Sequence, residues 1–223
     1  MTGICSLPVE AAYDRWAPFY DAYDNPMVFM ASEAIRQCPD FRGRRVFEFG
    51  CGTGRNLAAL GAASVAGCDL SEGMLAVARQ RCPGAELFRH DMTEPPLSGV
   101  ASESVDVALF SLTLEHVADL SAPLAEARRI VRPGCGRIAI LEIHPFMSLG
   151  GAKAHFIDGG EEVHMPTVAH QFAGYLAAFT ALDLRVERCH EWRPRNVGTP
   201  APLKALKRGP DFPLLVEFWL RVA

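Results

Sequence analysis

The chain has 223 residues, 49% hydrophobic and 22% charged, a balance that excludes disordered, collagen-like and low-complexity proteins. Its apolar runs are broken by a charge or a glycine well short of the ~20 residues that cross a bilayer, and its net charge of −4 argues against a general binder of nucleic acid or acidic membranes, which needs a basic field. Seven cysteines without a CxxC pair spell neither a disulfide framework nor a zinc site and read as small buried hydrophobes. Residues 1–6 lack the basic start and apolar run of a secretory signal, so a cytoplasmic location is expected.

In chain order, residues 9–37 come first, an amphipathic stretch carrying Tyr13, Trp16, Phe19, Tyr20 and Tyr23, which either caps the core or lids a pocket. Arg45–Phe49 is a strand-like run ended by Gly50, Ser64–Cys68 a second ended by Asp69, and Glu86–Arg89 a third before His90 and Asp91. Ser71 suits the N-cap of a helix over Glu72–Arg81, stopped by Pro83 and Gly84. Ser104–Leu112 and Arg137–Ile143 are nearly continuous apolar runs, as in strands buried on both faces. Between them Ser121 and Pro123 open a helix that Pro133 and Gly134 close.

Residues 144–166 read as a loop rich in Gly and His. A helix from about Val168 to Leu182 follows, then a strand pair, Leu184–His190 and Leu214–Val222, joined by a proline-rich loop. Alternating strands and helices predict an α/β fold with a mostly parallel sheet, whose ligands bind beyond the carboxyl ends of the strands.

Glu48-Phe49-Gly50-Cys51-Gly52-Thr53-Gly54 ends the first of these strands and opens a helix, so backbone passes close to a ligand there and free N–H groups favour a negative group. The GxGxG spacing departs from the GxGxxG of dinucleotide folds. Asp69 is placed for ribose hydroxyls and Asp91 for an exocyclic adenine amine, while Glu48 asks for a donor-rich or cationic ligand end that a dinucleotide lacks.

With these motifs the chain resembles the class I S-adenosylmethionine-dependent methyltransferases. The resemblance runs in order through Val46–Gly54, Gly67–Leu75, Asp91-Met92, Asp106–Ser111, Leu114–Val117 and Arg132–Gly134, and is greatest to the small-molecule branch that includes ubiquinone, menaquinone and malonyl-carrier methylases. It implies a Rossmann-like, doubly wound sheet of seven strands, mostly parallel with an antiparallel last strand. It also implies one domain over 1–223, divided into a helical lid (1–40), a cofactor half (41–143) and a substrate half (144–223).

The same resemblance assigns S-adenosylmethionine to a definite set of residues. Gly50, Gly52 and Gly54 hold the methionine part with Glu48 near its amino end; Asp69 takes the ribose; Leu70 and Met74 flank the adenine; Asp91 and Met92 read its amine; Cys51, Asn56 and Ser111 complete the set. The chain departs from the family's Pro-Gly-Gly-Arg by inserting Cys135 into Pro133–Arg137, at a turn expected to lie far from the cofactor.

Methyl transfer needs a base only if the nucleophile arrives protonated. His116, after the fourth sheet strand, and His144, after the fifth, are expected at the cleft mouth as base or orienting groups. Tyr20 and Trp16 are expected to meet the substrate from the lid, and His155 and His170 from the other side. The histidines and acids of 155–190 match no standard ligand spacing, so no metal is assigned.

From Arg185 to Ala223 eight Lys and Arg face four Asp and Glu, a local +4 that leaves −8 elsewhere; solvated charge on a hairpin loop accounts for it, an anion-binding patch being the alternative. The expected partner is a small-molecule acceptor of a methyl group at O, N or C, and the chain a monomer or homodimer. A methyltransferase acting on RNA or protein, a non-catalytic cofactor-binding subunit and a nicotinamide-dependent reductase are the alternatives.

Overall fold

A computed structural model describes residues 3–222; Met1 and Thr2, which entered the expectation about the N-terminus, lie outside the described residues, as does Ala223. Its elements are β1 (Gly3–Ser6), α1 (Val9–Trp16), α2 (Pro26–Gln37), β2 (Arg45–Phe49), α3 (Arg55–Ala59), β3 (Ser64–Asp69), α4 (Glu72–Arg81), β4 (Glu86–Arg89) and β5 (Val107–Ser111). They continue with α5 (Ser121–Ile130), β6 (Arg137–Ile143), α6 (Pro145–Leu149), β7 (His155–Asp158), β8 (Glu161–His164), α7 (Phe172–Ala181), β9 (Leu184–Trp192) and β10 (Leu215–Val222).

Seven strands form the main sheet in the order β4-β3-β2-β5-β6-β10-β9. All contacts from β4 to β6 are parallel, and β10 runs antiparallel to both of its neighbours. The expected doubly wound sheet with an antiparallel last strand is therefore found. Strand order reverses between β2 and β5, the switch point at which such sheets open a crevice.

Period-2 alternation sorts the strand residues onto two faces. Phe47, Phe49, Phe110, Ile138 and Ile140 pack with Leu124 and Ala127 of α5 and Tyr175 and Phe179 of α7. Val46, Val107, Leu109 and Leu141 pack on the other face with Met30 and Ile35 of α2, Leu57 of α3 and Leu75 of α4. The same alternation turns Glu48 toward α3, which decides its partner below.

Local signals explain the helix starts. Ser71 Oγ accepts the Met74 N–H (3.0 Å) as the α4 cap, and Asn25 Oδ1 accepts the Met27 N–H (2.9 Å) ahead of Pro26 in α2. Helix α7 is shorter than the expected Val168–Leu182, and β9 runs two residues past the expected His190. Cys135 is exposed in the turn before β6, away from the residues that line the cleft.

The largest departure from expectation lies at 144–166, which is a short helix and a hairpin rather than a loop. The hairpin β7–β8 recruits β1 in parallel, Gly3 opposite Glu161 and Ser6 opposite His164, into a second, three-stranded sheet. Trp16 stacks on Phe156 (4.6 Å between centroids), and Arg15 pairs with Asp158 (2.7 Å) and Glu161 (2.8 Å), so α1 is bound to this hairpin. On its other side Asp14 Oδ1 accepts from Ser71 Oγ (2.6 Å) and the Gly73 N–H (2.9 Å), docking α1 on the start of α4. Among the described residues no helix is long and apolar enough to cross a membrane.

Candidate active site

The glycine turn follows β2 at the switch point, with Gly50, Gly52 and Gly54 all at positive φ (68°, 53° and 72°). Gly50 is the most constrained: a Cβ there would lie 2.1 Å from Thr113 Oγ1, so neither the backbone angle nor the space admits a side chain. Asp69, ending β3, pins the turn. Its Oδ2 accepts the Gly52 N–H (2.8 Å) and its Oδ1 the Ser71 N–H (2.9 Å), while burial pushes its carboxyl up to about 6.

Gly50, Gly52, Asp69, Leu70, Met74, Asp91, Met92 and Ser111 line one cleft of about 260 Å³. Cys51, Asn56 and Arg55 line a smaller hollow at the turn, again with Gly50, Gly52 and Ser111. Asp91 Oδ1 is held by the Thr93 N–H (2.8 Å) and hydroxyl (2.7 Å), which fixes the carboxylate at the cleft lining. Glu48 lies one layer beneath: it is wholly buried, its Oε1 accepts from Asn56 Nδ2 (2.7 Å), its Oε2 has no partner, and burial pushes its carboxyl up to about 8. It is Asn56 that reaches the surface of the hollow. Gly54 lies just outside these linings, where a Cβ would come within 3.2 Å of the Ala78 Cβ of α4.

The segment after β5 is fixed from several sides. Glu142 Oε1 accepts the N–H groups of Thr113 (2.8 Å) and Leu114 (2.9 Å), and the Glu115 carbonyl accepts from the Val168 N–H (2.7 Å). His116 Nδ1 lies 2.8 Å from the Pro166 carbonyl, which only accepts, so Nδ1 carries the proton. Nε2 is then an acceptor, and the Tyr13 hydroxyl donates to it at 2.9 Å. Burial holds the His116 imidazole below the usual histidine range and Tyr13 well above that of tyrosine, so both are neutral near pH 7.

A second cavity, about 630 Å³, opens beside the first. Trp16 and His155, both expected as substrate contacts, line it, and Tyr13, Tyr20 and Leu112 line both this cavity and the cleft. Leu112 holds φ at 54°, an uncommon conformation for a bulky residue and of the kind that collects at functional sites. Glu115 also faces the cavity, its carboxyl raised to about 8 by burial and by Glu142.

Besides Glu48 and Gly54, two histidines expected at the catalytic and substrate side stand elsewhere. His144 is not at the cleft mouth: it is wholly buried, accepts the Phe146 N–H on Nδ1 (3.2 Å) as the cap of α6, and donates from Nε2 to Glu191 (3.1 Å). The chain turns at the end of β6 so that this side chain points inward, and it lines neither cavity. His170 likewise lines neither; its Nε2 donates to the carbonyls of Leu114 (3.1 Å) and Val117 (2.8 Å), bracing the turn that carries His116. Tyr13, Leu112 and Glu142 are the residues that sequence reasoning missed. Only Tyr13 had a signal, its place in the aromatic run.

Three buried carboxyls, Glu48 and Glu115 near 8 and Glu142 near 7, keep protons that the unfolded chain gives up near 4.5. The folded state binds more protons across that interval, so stability falls as pH rises through it. Below about 6.5 the two histidines with lowered pKa, His116 and His144, oppose the trend. The melting temperature of the ligand-free protein is expected to drop from pH 6.5 to 8, and Glu142→Gln, which keeps an acceptor oxygen, to flatten that slope. A melting temperature that rises over this range contradicts the assignment.

Residues 47–140 match the methyltransferase domain family. A demethylmenaquinone methyltransferase of Clavibacter sepedonicus is 34% identical over 60% of this chain and 54% of its own length. A malonyl-[acyl-carrier protein] O-methyltransferase of Serratia marcescens is 32% identical over 56% and 49%. The chain thus spans about half the length of these relatives. The crystal structure of an S-adenosylmethionine dependent methyltransferase from Mesorhizobium loti superimposes with a TM-score of 0.64 and 26% identity, over 84% of this chain and 95% of that one. In its fold, in its cleft and in the methyltransferase domain match over residues 47–140, the chain is similar to the class I S-adenosylmethionine-dependent methyltransferases.

Proposed function

We propose that the chain binds S-adenosylmethionine in the cleft between the glycine turn and Asp91 and methylates an O, N or C nucleophile of a small molecule seated in the larger cavity. The observation that carries this is the junction: Tyr13, Tyr20 and Leu112 line both spaces, so an acceptor in one meets a cofactor in the other. The cleft fits the cofactor. Leu70, Met74 and Met92 supply apolar walls for a flat ring, Asp69 and Asp91 supply carboxylate acceptors, and Arg55 and Asn56 supply polar groups at the turn.

When bound, S-adenosylmethionine supplies a methyl group on a sulfonium, a good leaving group for in-line displacement. The chain then contributes alignment and exclusion of water, which α1 favours by roofing both spaces. For a protonated nucleophile, the Tyr13 oxygen takes the acceptor's proton while passing its own to His116 Nε2. The hydrogen bond to Pro166 keeps that nitrogen lone pair turned toward Tyr13. A concave space of about 630 Å³ supports a small acceptor over RNA or a protein surface.

Calorimetry with S-adenosylmethionine and with NADH, followed by an acceptor screen read out as S-adenosylhomocysteine, tests the proposal. Binding of the first cofactor and not the second is expected. Failure to bind S-adenosylmethionine at millimolar concentration sinks it.

A further inference from the structure

The chain has 19 arginines and three lysines, and all three lysines, Lys153, Lys204 and Lys207, line the larger cavity, with Arg208 beside them. They come from two separate places, the segment before β7 and the loop before β10, and the fold brings them to one wall. None of these four lines the cofactor cleft or the hollow at the turn, whereas Tyr13 and Tyr20 reach both sides. The cationic wall therefore belongs to the acceptor's end of the site, away from the methyl group.

The charges facing this cavity do not cancel. Asp24 is taken by Lys204 (3.0 Å), and Glu162 accepts a hydrogen bond from His164 (3.0 Å) and keeps its charge. Glu115, the remaining acid in the lining, is kept protonated near neutral pH by burial. Among the described residues Lys153, Lys207 and Arg208 make no ion pair, and Arg208 lies over the Phe212 ring at 5.1 Å. Three cations without an ion-pair partner, set against the one carboxylate of Glu162, leave the lining of this concave space with an excess of positive charge that attracts an anion and forms charge-assisted hydrogen bonds with it.

We infer that the methyl acceptor is bifunctional: an anionic group, carboxylate or phosphate, anchors on Lys153, Lys207 and Arg208, and a separate nucleophile meets Tyr13 at the junction with the cofactor cleft. This rests on the methyltransferase reading and narrows its substrate class. It also revises the expectation for the basic C-terminal segment: part of that charge faces a cavity, and it acts with Lys153 from outside the segment.

The test is calorimetry on the whole chain saturated with S-adenosylhomocysteine, using 3-hydroxybenzoate, phenyl phosphate and the neutral 3-hydroxybenzamide as probes. At least one acid is expected to bind, the amide at least about tenfold more weakly, with the acid's affinity falling as salt is raised. The stronger of the two acids tells carboxylate from phosphate. Lys153→Gln, Lys207→Gln and Arg208→Gln together are expected to weaken acid binding by about tenfold or more and leave S-adenosylhomocysteine affinity unchanged.

Asp24→Asn, which frees Lys204, is expected to tighten acid binding about twofold to fivefold, a gain that misfolding does not imitate. Equal binding of amide and acids, no binding of any probe, or unaltered acid binding by the triple variant overturns the inference. If S-adenosylhomocysteine itself fails to bind the unmodified chain, the methyltransferase reading falls instead.

Discussion

Turnover of a His116→Ala variant is expected to fall by about 10²–10⁴-fold, the usual span for a positioned general base. The expectation rests on tautomer and reach. Nδ1–H is committed to the Pro166 carbonyl, so Nε2 is free to accept, and the Tyr13 hydroxyl already donates to it across 2.9 Å. Tyr13→Phe removes the link between acceptor and imidazole and is expected to cost nearly as much, while the double variant costs little more than the worse single one, because the two groups act in series.

The pH profile gives the readout that a merely structural role does not move. Neutral His116 is the active form and burial lowers its pKa below 6.5, so turnover is expected to be lost on the acid side and to level off above that value. In the alanine variant this limb should vanish. Unchanged turnover of His116→Ala from pH 6 to 9 removes the dyad from the mechanism.

Asp69→Ala is expected to weaken S-adenosylhomocysteine binding by about 10²-fold or more, since hydrogen bonds to a charged group contribute about 1.5–3 kcal/mol each. Two losses add. The cofactor's hydroxyls lose their acceptor, and the N–H groups of Gly52 and Ser71 lose theirs, which loosens the turn against α4. Asp69→Asn keeps the shape but brings an NH₂ against one of two backbone donors, so it is expected to fall between wild type and alanine. Because the Asp69 carboxyl is raised to about 6, wild-type affinity is expected to decline as pH drops through that value. A calorimetric affinity for Asp69→Ala within about threefold of wild type refutes the role.

The cofactor side of this molecule was legible because each of its parts leaves a local trace. Phe47 and Phe49 alternate with Val46 and Glu48, Gly50 must be glycine, Asp69 ends β3 and Asp91 follows the end of β4 by two residues. The acceptor side leaves no such trace. Gly3–Ser6 is four residues long and mostly exposed, and its partner begins at Glu161, a pairing that only the folded chain reveals.

The sequence position of His144, directly after a strand, is equally compatible with facing the cleft or the core, and the chain's turn at Pro145 decides for the core. A leucine at positive φ has no sequence signature, so Leu112 could not be singled out. Lys204 and Lys207 were counted in a charged tail, apart from Lys153, because 50 residues of sequence lie between Lys153 and Lys204 although both line one cavity.

The roof formed by residues 3–25 is unevenly fastened. A backbone ladder ties β1 to β8, Asp14 holds the start of α4, and Asp21 pairs with Arg81 at 2.6 Å. Toward the loop that carries Lys204, Lys207 and Arg208, the described residues offer Lys204 alone, bonded to the carboxylate (3.0 Å) and carbonyl (3.1 Å) of Asp24 with both side chains well exposed. Such a pair contributes about 0–1 kcal/mol. The roof is thus held more firmly along β8, α4 and Arg81 than along this edge. Lys207 and Arg208 stand on the loop across that weakly held edge, so an anionic acceptor seated on them is expected to add a contact where the roof has a single ion pair.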